Sequence, residues 1–164
     1  AEPFHLRFTL SKAVDLEELS ERVPNLPHLD VGGSDDLQLA WFHEKELDDK
    51  GTSYRWSQKT SSVFLPKVGN GTKTIELRLA GPEEIGAPQH QVTVEISGST
   101  LATITPEKEF TTYTFTLPED LTSQTKSSFA ILTLKTETWR PANWIPDSTD
   151  VRDLGIRVDS VLVR

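Results

Sequence analysis

Alternation of apolar and polar residues constrains this chain more than any other feature. Ile75, Leu77 and Leu79 alternate with Glu76 and Arg78. Val92, Val94 and Ile96 alternate with Thr93 and Glu95, and Tyr113, Phe115 and Leu117 with Thr114 and Thr116. Successive strand side chains point to opposite faces, so a period of two writes one buried and one solvated face. Phe129, Ile131 and Thr133 point one way while Ala130, Leu132 and Leu134 point the other. That run is apolar on both faces, which places it in a sheet centre. The closing segment sets Ile156, Val158 and Ser160 against Arg157, Asp159 and Val161. Turn formers divide the runs at Gly69-Asn70-Gly71, Gly81-Pro82, Gly98-Ser99, Pro118-Glu119-Asp120 and Pro146-Asp147. Short strands about every ten residues, with turns between them, predict an all-β antiparallel sandwich of jelly-roll type.

The length of 164 residues suits a single domain. Residues 30–164 read as the sandwich, and 1–29 as a strand and helix packed on it. Phe4, Leu6, Phe8 and Leu10 alternate as an edge strand. Val14 to Leu19 is a short helical stretch with Leu16 and Leu19 on one face, stopped by Pro24 and Pro27. The start at Ala1 shows neither an initiator Met nor a signal peptide, so the chain reads as processed or as a domain cut from a longer protein.

Composition narrows the partners. There is no cysteine, hence no disulfide framework and no thiolate metal site. A net charge of −8 argues against nucleic acid and against an anionic membrane surface. No apolar run approaches the roughly 18 residues of a membrane span, so this chain is not expected to insert. Oligomeric state is not legible.

Three segments carry candidate binding chemistry. Trp41-Phe42-His43-Glu44 is followed closely by Tyr54-Arg55-Trp56. An indole face beside a planar guanidinium and a carboxylate suits a sugar: its C–H face stacks on the ring and its hydroxyls bond to the charged groups. The second segment is Trp139 to Pro146, with Trp139 and Trp144 in a Pro-rich loop of the kind that holds binding residues. The third is Asp150 to Ile156, where Arg152 and Asp153 either join the same sugar site or form an internal ion-pair network, and where Gly155 marks a bulge or a close backbone approach. In the first two, the aromatics serve equally well as core.

Metal and catalytic signals are weaker. Asp30, Asp35 and Asp36 in a Gly-rich loop offer oxygen ligands for calcium, without the spacing of a twelve-residue EF-hand loop. No pair among His5, His28, His43 and His90 has helical metal-ligand spacing. There is no G-x-S-x-G, no Gly-rich phosphate loop and no H-E-x-x-H. Glu44 and Asp153 are the one pair of acids worth weighing for glycoside hydrolysis. Asn70-Gly71-Thr72 fits the N-glycosylation acceptor pattern.

The order Tyr54-Arg55-Trp56-Ser57, Ser62 to Pro66, Trp139 to Pro146 and Asp150-Val151-Arg152-Asp153-Leu154-Gly155-Ile156-Arg157-Val158 resembles a known group. These are the carbohydrate-binding-module-like jelly-roll domains attached to bacterial membrane glycosyltransferases and related cell-surface proteins. The resemblance covers about residues 30–164. It implies a non-catalytic sandwich located extracellularly or in the periplasm and contacting a polysaccharide or other glycan. By carry-over, Arg55, Trp56, Asp150, Arg152, Leu154 and Gly155 are the matching positions, as binding or as fold-defining residues. Two other readings stay open: a structural or protein-interaction sandwich, and a glycan-active enzyme.

Overall fold

The computed structural model describes residues 28–33, 38–68, 71–122 and 128–164, with the side chains of 66, 67, 122, 128 and 129 outside the description. The expected edge strand and helix within 1–27 lie outside the described residues, as do Asp35, Asp36 and the side chain of Phe129. Nine strands follow in order: β1 (His28–Asp30), β2 (Leu39–Leu47), β3 (Ser53–Val68), β4 (Thr74–Ala80), β5 (Val92–Ile96), β6 (Ser99–Ile104), β7 (Thr111–Thr116), β8 (Ser128–Thr136) and β9 (Arg157–Val163). A four-residue helix, α1 (Glu119–Thr122), and a 3-10 turn at Pro141–Asn143 are the only helical pieces among the described residues.

Every pairing is antiparallel, and the strands run in the order β6-β5-β8-β3-β9-β4-β7, with β1 on β9 and β2 on β3. β3 is the hinge of this arrangement. Its residues 60–68 pair with β8, whereas Arg55 and Trp56 pair with β9. One long strand therefore belongs to both layers, and the sheet wraps around a common core as a jelly roll.

The alternation places the core as expected. Ile75, Leu77, Leu79, Val92, Val94 and Ile96 are fully buried. β8 is central, between β5 and β3, with Ala130, Leu132 and Leu134 buried and Ile131 and Thr133 half-buried. β5 and β6 join through Ser97 and Gly98, both with positive φ (46° and 88°). This is the two-residue turn whose twist matches a hairpin.

The phase of β9 departs from simple alternation. Arg78 pairs with Ser160 but Leu79 with Val158, so Asp159 is an extra residue in the ladder. The resulting bulge resets the phase. Val158 and Val161 both face the core, Ser160 is only half-buried, and Arg157 is buried at 2% exposure.

Gly155 answers to close approach rather than to a bulge. Its N–H donates to the Ser57 carbonyl at 2.8 Å, and Ile156 N–H donates to Ser57 Oγ at 3.0 Å. A Cβ here would lie 2.8 Å from Thr136 Cγ2 and 3.0 Å from the Ser57 carbonyl. Gly155→Val is expected to destabilise the fold by about 1–3 kcal/mol through overpacking. Thermal unfolding checks this, and an unchanged Tm would contradict the close-approach account.

Candidate functional site

The loops 48–52, 81–91, 105–110 and 137–156 all leave the sandwich at one end. They are held by a second apolar cluster, separate from the main core, made of Tyr54, Trp56, Trp139 and Leu154 with Ala87, Phe110 and Ile145 against it. The rings meet edge-on: Tyr54 to Trp56 at 6.2 Å and Trp56 to Trp139 at 6.0 Å between centroids. Trp139 and Leu154 share an isolated β-bridge that pins the long β8–β9 loop across this cluster. Trp56 and Trp139 are each 3% exposed, so neither presents a face to a ligand. They are core, because burying an indole against other rings gains more than leaving it in water. Arg55 is also buried, and its Nη1 donates to the His43 carbonyl at 3.2 Å, bracing β2.

Arg157 is the centre of this end. Its Cζ lies 5.1 Å from the Phe110 centroid and 5.8 Å from those of Tyr54 and Trp56. Nε and Nη2 donate to the Gly81 carbonyl at 3.0 and 2.8 Å, and Nη2 also to the Lys108 carbonyl at 2.6 Å. Nη1 pairs with Glu83 at 3.1 Å. A buried guanidinium is tolerated only when its donors and charge are matched, as they are here. Reading Arg157 as the outward partner of Ile156 missed it, because nothing local marks the reversal.

The exposed candidates gather on β2 and the β8–β9 loop. Trp41 sits at a bulge in β2, has φ of 65° and is 69% exposed. Its carbonyl accepts a hydrogen bond from Ser61 Oγ, which holds the bulge against β3. His43 Nε2 donates to the Asp153 carbonyl at 2.9 Å, tying β2 to the loop. Glu44 is exposed on the same strand. Asp153 is gripped by Arg140, with three N–H to oxygen distances of 2.9–3.1 Å. Trp144, after the 3-10 turn, is 51% exposed.

The ion-pair reading of the third segment holds for Arg152. It forks onto Asp150 (Nε to Oδ1 3.0 Å, Nη2 to Oδ2 2.7 Å) and reaches Glu46 at 2.7 Å. Glu46 also accepts from the Tyr54 hydroxyl at 3.1 Å. Burial, then the Glu46 charge, push the Tyr54 phenol well above its ordinary value, so it stays a neutral donor. The Arg152 hydrogen bond holds the Asp150 carboxyl below the usual aspartate range. Glu46 and Arg140, both absent from the sequence-derived set, complete these networks from positions that look like ordinary surface charge.

Of the calcium candidates, only Asp30 is described. It accepts from Ser53 Oγ at 3.1 Å, and no group of three or more His, Asp or Glu is placed to hold a metal among the described residues.

At the same end lies an open cleft of about 130 Å³ between the β2–β3 turn (48–52) and Lys108 to Phe110, with Arg78 and Arg157 also lining it. The turn is built by Asp48, whose Oδ1 accepts the N–H groups of Lys50 (2.9 Å) and Thr52 (2.7 Å). Those backbone donors, the Thr52 amide foremost, lower the Asp48 pKa and keep the carboxylate charged. No sequence pattern announced this cleft, since its walls come from separate loops.

No protein-family model matches the chain, and no curated protein sequence matches it significantly. Its fold is similar to that of a family 6 carbohydrate-binding module from Clostridium cellulolyticum, solved with xylose. That match has 10% identity, covers 85% of this chain and 98% of the module, and has a TM-score of 0.52. A family 35 module from an environmental isolate (15% identity, 84% and 91% covered, TM-score 0.48) and one from Clostridium thermocellum (9%, 83% and 96%, 0.47) are also similar. The chain shares the jelly-roll fold of the family 6 module.

Trp56→Ala is expected to cost about 3–5 kcal/mol as a core deletion, read from urea unfolding. The Asp150 shift has a definite sign. A depressed folded pKa adds stability above the unfolded value of 3.8, and that stability is lost as pH falls through the lower folded value. Asp150→Asn should flatten the acid limb of the stability curve below about pH 4, and an unchanged limb would show that the pair contributes nothing.

Proposed function

We propose that the chain is a non-catalytic glycan-binding module that works extracellularly or in the periplasm. The observation that carries the reading is Trp41. A non-glycine residue with positive φ costs of order 1–3 kcal/mol and persists where the surroundings enforce it, often at ligand sites. Here the strained residue presents an indole at 69% exposure. The indole offers a flat apolar face to the C–H face of a sugar ring. Glu44 on β2, and Arg140 and Asp153 of the loop bonded to it, supply hydroxyl partners near the same strand, and Trp144 adds a second exposed ring. The similar fold of the family 6 carbohydrate-binding module solved with xylose supports the reading.

A non-catalytic role is supported by the similarity in fold to a carbohydrate-binding module. A second reading, protein interaction, is favoured by the exposure of Leu47, Ile85 and Val151 in addition to the two Trp side chains.

Titration of intrinsic Trp fluorescence with neutral and acidic polysaccharides separates the two. We expect a saturable shift, with Trp41→Ala lowering affinity at least about tenfold, or roughly 1.4 kcal/mol, while leaving Tm unchanged because the indole is largely exposed and alanine keeps the same backbone demand. A flat response across the panel, with mass rising with protein concentration, would favour the protein-interaction reading.

A further inference from the structure

We infer that Ser61, a buried hydroxyl on β3, is the positioning residue for the Trp41 platform: it fixes the backbone of the β2 bulge that throws the indole outward. The inference rests on the glycan-binding reading and deepens it with a residue that touches no ligand.

The need for such a residue follows from strand register. Ala40 pairs with Ser62, and Phe42 pairs with Ser57. Between those rungs β2 has one residue, Trp41, whereas β3 has four, Gln58 to Ser61. The mismatch falls where β3 passes from one layer to the other, since Trp56 pairs with Arg157 of β9 and Thr60 with Lys135 of β8. Neither strand is free to slide. Phe42 packs against the main core, and Ser61 is paired with Leu134 of β8. Trp41 absorbs the mismatch with a φ of 65°. A bulky residue in that region is disfavoured, and it persists only where its surroundings fix the backbone.

Ser61 is placed to fix it. Its side chain is fully buried. Its Oγ accepts the Gln58 N–H at 2.9 Å and donates to the Trp41 carbonyl. Chemistry sets the direction of the second bond. The Gln58 N–H only donates and the Trp41 carbonyl only accepts, so the hydroxyl proton goes to Trp41. One hydroxyl therefore closes both sides of the mismatch, the surplus of β3 and the bulge of β2. Alanine removes both bonds, and the peptide after Trp41 is then free to turn. The indole is 69% exposed and gains little direction from packing, so the backbone sets where the ring points. A ring fixed before binding avoids the ordering cost that a mobile one adds to association.

The test uses the whole chain labelled with 5-fluorotryptophan, whose four Trp give four fluorine resonances. Trp41→Phe assigns the Trp41 line. Without ligand, Ser61→Ala is expected to move the Trp41 line while the lines of Trp56, Trp139 and Trp144 stay in place. Ser61→Thr, which keeps the hydroxyl, is expected to restore the Trp41 line. If Ser61→Ala fails to fold, Ser61→Cys, of similar size with a weak donor, is read in its place. Calorimetric titration with xylohexaose, cellohexaose, mannohexaose and oligogalacturonate forms the second arm. For whichever probe the unsubstituted chain binds, Ser61→Ala should lower affinity at least about fivefold, the worth of one net hydrogen bond, and Ser61→Thr should recover it.

A Trp41 line unmoved by Ser61→Ala would overturn the proposal. So would movement of all four lines together, which would make Ser61 a general core hydroxyl. A moved Trp41 line with affinity unchanged would overturn the role of Ser61 in binding. A moved Trp41 line with no probe bound by the unsubstituted chain would overturn the glycan-binding reading and leave the hold of Ser61 on Trp41 standing.

Discussion

The buried guanidinium of Arg157 is the contact on which the end of this molecule depends. It reaches the carbonyls of Gly81 and Lys108, pairs with Glu83 and lies against Tyr54, Trp56 and Phe110. Those partners come from β3, from the β4–β5 and β6–β7 loops and from the edge of the cleft. A single planar group with several donors can do this; a lysine, with one compact charge, cannot satisfy the same geometry. A satisfied polar centre inside an aromatic cluster also limits the arrangements the loops can take, since a half-satisfied one would be penalised.

From that centre two surfaces diverge for reasons of packing. On one flank, β2 is held to β3 with two register shifts, and the first throws Trp41 outward. Bulges bend a strand and re-aim a side chain. The β8–β9 loop is then strapped to β2 by His43 to Asp153 and by Arg152 to Glu46. On the other flank, the Asp48 turn and the loop carrying Phe110 stand apart and leave the cleft. The family 6 resemblance in fold accounts for the scaffold, but fold alone does not assign a ligand. The side chains around Trp41 carry that argument.

Much of the scaffold was legible because hydrophobic alternation is a local signal. The strands around Ile75–Leu79, Val92–Ile96 and Phe115 stand where the period of two put them. The site was less legible. Trp56 and Trp139 share their local chemistry with Trp41 and Trp144, yet one pair is core and the other is exposed. Neighbouring residue types did not separate them, since burial depends on which strand or loop packs above. Glu46 and Arg140 were passed over for the same reason: their partners, Arg152 and Asp153, are distant in sequence or lie across a loop.

By itself, the amino-acid sequence determined the sheet character, the position of β8 in the sheet centre and the absence of disulfide and thiolate chemistry. These depend on composition and on a period that each segment carries within itself. Tertiary structure alone decided that an extra residue at Asp159 resets the phase of β9, that Arg157 turns inward, that Gly155 must leave room for Ser57, and that three loops meet β4 and β9 to shape a polar cleft. Each of these depends on groups brought together from distant parts of the chain, and no local pattern records which distant surface a side chain will meet.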